Sequence, residues 1–170
     1  MTNPSYRTKK LTAAEKHAIA VNRKFALHEA ALTDNTQLID EIVQLHPEQL
    51  HLENGNGFTP LEQAVWIGTS VALERLIHHG ADVNIRDGFG QTPLHIACTT
   101  GNLQKVTLLV QHGADINATR SDGYRPIHYA LIANQGDIIR FLKGKGVHLD
   151  LHEAVTKEAL KTAKSWKQDT

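Results

Sequence analysis

Gly90-Gln91-Thr92-Pro93-Leu94-His95-Ile96-Ala97 is the stretch on which the reading of this chain turns. A turn glycine comes first. Thr92 then sits where a helix N-cap belongs, and Pro93 takes the first helical position, where its missing N–H costs nothing. Working outward, the same wording returns at a fixed distance. Upstream stands Gly57-Phe58-Thr59-Pro60-Leu61-Glu62-Gln63-Ala64, and downstream Gly123-Tyr124-Arg125-Pro126-Ile127-His128-Tyr129-Ala130. Gly57, Gly90 and Gly123 are 33 residues apart, and so are Gly80, Gly113 and Gly146. The units close on Gly80-Ala81-Asp82-Val83-Asn84 and Gly113-Ala114-Asp115-Ile116-Asn117. A period of this length marks a repeat architecture.

Each unit carries its signals in one order. The short helix opened by Thr-Pro is about two turns long and ends near Gly68, Gly101 and Asn134. A second helix follows, with Ala72, Leu73, Leu76 and Ile77 in one unit and Val106, Leu108, Leu109 and Val110 in the next. Gly80, Gly113 and Gly146 stand where a left-handed C-terminal cap is expected. Asp87-Gly88 and Asp122-Gly123 read as hairpin turns between units. Neither helix can bury its apolar face alone, so stacked neighbours must supply the core.

With these motifs in view the chain resembles an ankyrin-repeat protein from Phe25 to about Asp150. The resemblance implies an all-α repeat solenoid: stacked helix pairs with protruding β-hairpin fingers, capped at both ends by helices. The expected organisation is one ankyrin-repeat domain over 1–170. It comprises an N-terminal capping helix at 12–23, a degenerate first repeat at 24–56, repeats at 57–89, 90–122 and 123–150, and a C-terminal capping helix at 151–167. Several residues depart from the family pattern. Glu62 replaces the motif histidine, Arg125 the motif Thr, Asn134 the loop Gly, and Val147-His148 the closing Ala-Asp. The first unit keeps Leu27-His28-Glu29-Ala30-Ala31, and its loop through Pro47 is one residue longer.

Thr12 with Glu15 and Asp150 with Glu153 form capping-box patterns at the two ends. From Ala13 to Thr33 the pattern fits one long helix or two short ones. Leu151-His152-Glu153-Ala154 repeats the wording of Leu27-His28-Glu29-Ala30, 24 residues after Ile127, as a truncated fifth unit would. That helix places Leu151, Val155, Ala159, Ala163 and Trp166 on one side, as a lid on the fourth unit or as an amphipathic tail for a partner.

Composition narrows the function classes. The 170 residues are 41% hydrophobic and 5% aromatic, so Leu, Ile, Val and Ala must build the core. No run approaches the ~20 apolar residues of a membrane span, and no signal peptide is visible, which fits a cytoplasmic protein or export by a signal-less route. The zero net charge is unevenly spread. Residues 1–24 carry six Lys and Arg against one acid, 25–154 carry eight against fifteen, and 155–170 carry four against two. An acidic body with basic ends argues against nucleic acid and favours a basic protein partner.

Catalytic and metal chemistry finds little support. His95 and His128 occupy the motif position, where the resemblance implies an imidazole bonded to backbone. His79 and His112 stand in the last helical turn, where a cation suits the dipole. His78-His79 diverge around the helix, and no His-Glu-x-x-His pattern exists. The resemblance places Cys98, the sole cysteine, at a small position packed between units, as a structural thiol. Gly55-x-Gly57 and Gly88-x-Gly90 are turn glycines, not a phosphate loop. The expectation is a chain without cofactor or enzymatic activity.

The resemblance places partner contacts on the finger tips and the near side of the short helices, the concave face. In this chain those positions are Asn56, Phe58, Trp66, Ile67, Arg86, Phe89, Gln91, Thr99, Thr100, Thr119, Asp122, Tyr124, Arg125 and Ile132. Four of the nine aromatics fall there, and aromatics with Arg dominate interface energies. The chain therefore reads as a monomeric protein-binding module without a further domain. The alternatives are a dedicated inhibitor or immunity-type protein against a basic enzyme or toxin, and a secreted effector that engages host proteins.

Overall fold

The computed structural model describes residues 24–149 and 154–165. The described residues hold helices and turns and no strand. Helix α1 (Ala26–Ala30) pairs with α2 (Thr36–Leu45), which runs into a 3-10 turn at Pro47–His51. Three further pairs follow: α3 (Pro60–Trp66) with α4 (Ser70–His78), α5 (Pro93–Thr100) with α6 (Leu103–Gln111), and α7 (Pro126–Ile132) with α8 (Gly136–Gly144). The last helix is α9 (Ala154–Ser165). The first helices form one row, α1 to α3 to α5 to α7, and α9 packs on α7 as α7 packs on α5. The second helices form a parallel row, α2 to α4 to α6 to α8. This is the helical repeat stack that the period predicts.

Local chemistry explains the boundaries of the three later pairs. Thr59 accepts from the Glu62 N–H at 3.3 Å, while Glu62 Oε2 accepts from the Thr59 N–H at 2.9 Å, a reciprocal box that starts α3. His95 Nδ1 does the same for α5, accepting from the Thr92 N–H at 3.1 Å. At α7 only half of the box survives: the Arg125 N–H donates to His128 Nδ1 at 3.0 Å, and a guanidinium cannot return the bond. Gly80, Gly113 and Gly146 take φ of 90°, 88° and 91°. Beyond them the Ala81, Ala114 and Val147 N–H groups donate to Leu76, Leu109 and Leu142 carbonyls at 3.1, 2.9 and 3.1 Å. These are Schellman closures, and the residue after each glycine is buried against the stack.

The core is one continuous cluster from Ala26 to Val147, drawn from both rows. Leu27, Leu61, Leu94 and Ile127 are fully buried at the matching position of successive first helices, and Ile39, Leu73, Val106 and Ile138 line the second row. Units touch closely at Gly68. A Cβ there would meet the Ala31 carbonyl oxygen and come within 2.7 Å of the Ala64 Cα, both of them backbone atoms. Gly68→Ala is accordingly expected to cost about 2 kcal/mol by overpacking at the first junction, read as a lowered thermal midpoint.

The structure adds to the sequence reading at three points. The fingers carry no strand; each is a tight turn with short arms. Asn54, Asp87 and Arg120 each open a turn whose fourth residue, Gly57, Gly90 or Gly123, donates back at 2.9 Å and takes positive φ. The arms are bridged by Asn54–Phe58, Asp87–Gln91 and Arg120–Tyr124 backbone bonds of 2.9, 3.1 and 2.9 Å. This is a type I turn followed by a left-handed residue, not a two-residue Asp-Gly turn. Asp87 selects it, because Oδ1 accepts from the N–H groups of Phe89 at 2.9 Å and Gln91 at 2.8 Å. Of the Ala13–Thr33 segment, the described part is a separate short helix, α1, entered through a turn at Lys24 and Phe25. The third point is Lys105, which the apolar spacing leaves unremarked and which proves to be buried.

The proposed capping helix at 12–23, the pair Asp150 and Glu153, and Leu151 and Trp166 lie outside the described residues.

Candidate functional site

The repeat brings the predicted residues into rows. Trp66, Thr99 and Ile132 hold one position at the ends of α3, α5 and α7, and Ile67 and Thr100 the next. Asn56, Phe89 and Asp122 share a turn position, as do Phe58, Gln91 and Tyr124 at the exit and Arg86 with Thr119 at the entry. Their exposure differs. Trp66, Ile67 and Phe89 are 47%, 63% and 64% exposed, which is high for large apolar side chains. Thr99 and Thr100 are exposed too, while Ile132 is half-buried. Phe58 is half-buried and packs against the core.

The first unit adds a residue that sequence reasoning missed. Its extra loop residue shifts the register by one, so Leu32 is the counterpart of Trp66. Leu32 is 40% exposed and extends the row across another unit. Aligning Leu27-His28 with Leu61-Glu62 would have found it.

Arg120 organises the far turns. Its Nη1 donates to Tyr129 Oη at 2.7 Å and Gln91 Oε1 at 3.2 Å, and Nη2 lies 3.3 Å from Asp122 Oδ2. The guanidinium also lies over the rings of Phe89 and Tyr129, at 5.6 and 5.9 Å from their centroids. Phe89, Gln91 and Asp122 are thus held by one cation. Tyr124 stands edge-on to His128 and Tyr129, with centroids 5.8 and 6.0 Å away. Arg86 donates through Nη2 to the Thr119 carbonyl, so it ties two turns together.

The junctions between units are not alike. His28 Nε2 reaches the Phe58 carbonyl at 2.8 Å, and His95 Nε2 the Tyr124 carbonyl at 3.3 Å. His128 Nε2 meets Thr156 Oγ1 on α9 at 3.0 Å. At the remaining junction, between the second and third units, the position is Glu62. A carboxylate has no proton to give a carbonyl, so this bridge is missing. The junction is held from the other row instead. Lys105 of α6 is 4% exposed, and its Nζ donates to the carbonyls of Ala64, Val65 and Gly68 at 2.8, 2.8 and 2.9 Å. All three ammonium protons are used, at the negative end of α3. Burial lowers the Lys105 pKa.

At the same junction a cleft of about 360 Å³ opens between two turns. Asn56, Phe58, Phe89 and Gln91 line it, together with Glu53, Glu62 and Asp87. Four of the predicted residues therefore meet, and three carboxylates join them.

Other chemistry is structural. Burial lowers the His95 pKa to about 4 and lowers that of His28. Burial also pushes the Cys98 thiol well up, so that it stays protonated. On the second-helix row Asp40 receives Arg75 through Nε and, at 2.6 Å, Nη2, and it receives His79 at 2.7 Å. The Arg75 hydrogen bonds hold its carboxyl down to about 2. Among the described residues no group of His, Cys, Asp and Glu is arranged to hold a metal ion, and no helix is long and apolar enough to cross a membrane.

Helix pairs stacked in two rows, the later three closed by the same glycine cap, define a helical repeat protein. The family model for ankyrin repeats, three copies, matches residues 63–153, and the chain belongs to that family. No curated protein matches it closely enough to serve as a relative. Repeats of this family generally mediate protein–protein interaction.

Proposed function

We propose that this chain is a non-enzymatic binding module that engages one protein partner through the turn and short-helix face. The observation that carries the reading is the exposure of Trp66, Ile67 and Phe89 on that face, in a chain with nine aromatics in all. Apolar side chains of that size left in water are hot-spot material. Arg120 fixes Phe89 and Gln91 beforehand, which lowers the ordering cost of binding. A partner of ordinary size would cover about 800 Å² here, within the reach of three or four units. The finer proposals are a basic partner, a monomeric state, a cytoplasmic setting, and α9 serving as a cap. Thr156 and Ala159 of α9 are buried where that helix packs on α7, which supports the last of these.

The test is affinity capture from source cells with the wild type and a Trp66→Ala/Phe89→Ala variant. The variant is expected to weaken capture of the partner at least tenfold while its thermal midpoint stays near wild type, since both side chains are exposed. Equal capture by both forms would place the partner on another surface. The inhibitor reading is favoured only by the acidic body, and a steep fall of association rate with salt would support it.

A further inference from the structure

The cleft at the junction of the second and third units has a chemistry of its own. Three carboxylates line it, those of Glu53, Glu62 and Asp87, and no lining residue is basic. Two phenylalanines, Phe58 and Phe89, line the same space. Glu62 adds an independent observation. It is 4% exposed, and Oε2 accepts both Thr59 bonds, at 2.9 Å from the N–H and 2.8 Å from Oγ1. Oε1 takes no hydrogen bond or ion pair from the described residues and stays open to solvent at the cleft, although the residue as a whole is nine-tenths buried. A carboxylate oxygen spared by internal donors and open to a cleft is free to accept from a ligand's N–H groups. Asp87 is similar, since Oδ1 serves the turn N–H groups and Oδ2 is left over.

We infer that this cleft receives a cationic side chain of the partner, an arginine, with its guanidinium against Phe58 and Phe89 and its N–H groups on Glu62 and Asp87. Aromatic faces and carboxylates together suit a planar, weakly hydrated cation. Arginine also offers a donor fork that a carboxylate accepts in two bonds. Phe89 already carries one guanidinium, that of Arg120, so the ring is placed for this type of contact. The site exists because Glu62 stands where the other units have histidine; the imidazoles of His28 and His95 spend that position on the next turn. The inference rests on the binding face proposed above and specifies what one part of that face recognises.

The probe is a capped pentapeptide, alanine with a central arginine, titrated into the labelled full chain and followed by amide chemical shifts. The same peptide with citrulline, which has the shape without the charge, is the control. The expected result is saturable shifts at Asn56, Gly57, Gly88 and Phe89 for the arginine peptide, and at least tenfold weaker binding for citrulline. Glu62→Gln/Asp87→Asn keeps both turn-side acceptors and the fold, and should reduce arginine binding at least tenfold. No binding at millimolar peptide, equal binding of citrulline, shifts confined to another surface, or an unaffected double variant would each overturn the inference. The two proposals fail separately. Partner capture lost in Trp66→Ala/Phe89→Ala but unchanged in Glu62→Gln/Asp87→Asn keeps the binding face and removes the arginine site.

Discussion

Replacing Lys105 by Ala is expected to lower the unfolding free energy by about 3 kcal/mol, because three buried carbonyls lose their donors and a cavity opens. The carbonyls are those of Ala64, Val65 and Gly68, at the end of α3, and Lys105 contributes its bonds from the neighbouring unit. Matching positions in the second and fourth units are the buried Ala72 and Ile138, so an apolar residue fits the site by size. Lys105→Met separates the two components. It keeps the volume and should still cost about 2 kcal/mol, because the carbonyls remain without donors. A Met variant as stable as wild type would show that desolvation of the ammonium outweighs its bonds. The pH dependence has a definite sign. Burial lowers the Lys105 pKa in the folded chain, so the unfolded chain binds more protons in the window below the ordinary lysine value of 10.5. Stability of the wild type relative to the Met variant should therefore rise as pH climbs through that window. A second signature follows from the one-dimensional stack. Weakening the one junction that lacks an imidazole bridge should let the halves unfold separately, broadening the urea transition and lowering its slope.

The period, the Thr-Pro starts and the glycine closures were legible in the sequence because each is a local rule with a fixed spacing. They predict α3 to α8, and the structure has helices there. The fingers were less legible. Asp87-Gly88 and Asp122-Gly123 mark hairpin turns in the sequence, but the turn type depends on what the Asp87 carboxylate accepts, and that is decided four residues away, at Gln91. The candidate site was legible as a list of positions, since the repeat alone puts Asn56 beside Phe89 and Trp66 beside Thr99. Exposure did not follow from position. Phe58 and Phe89 both sit in turns, yet one backs onto the core and the other is open. Lys105 was illegible for a physical reason. A lysine in an amphipathic helix normally marks the wet face, and only the junction contact shows why this one is buried. Glu62 was recognised as a departure from the pattern, but its consequence, a missing bridge and a cleft lined with acids, needed both neighbouring turns in place.

Acid should loosen the stack from its outer junctions inward. His95 accepts from the Thr92 N–H through Nδ1 and donates through Nε2 to the Tyr124 carbonyl, which fixes the neutral tautomer. Adding a proton to Nδ1 turns an acceptor toward a donor and charges a buried ring. Burial accordingly lowers the folded pKa from 6.5 to about 4, and His28 is lowered by the same cause. The folded values lie below the unfolded one, so the unfolded state binds more protons in between. The stability these rings contribute is complete above about pH 6.5, and that of His95 is lost as pH falls to about 4, by roughly 3 kcal/mol. Asp40 titrates lower, with its folded value at about 2, so the histidine window lies above that of the carboxylate. His28 and His95 serve the first and third junctions, whereas the second is held by Lys105, which keeps its charge throughout this range. Hydrogen exchange at pH 4.5 should therefore show α1 and α7 losing protection before α3 and α5. His95→Gln keeps an N-cap acceptor at the third helical position and cannot titrate. Its unfolding free energy should be lower than wild type at pH 7 and fall less between pH 6.5 and 4. An acid slope equal to that of wild type would remove His95 from the account, and uniform loss of protection would remove the order of the junctions.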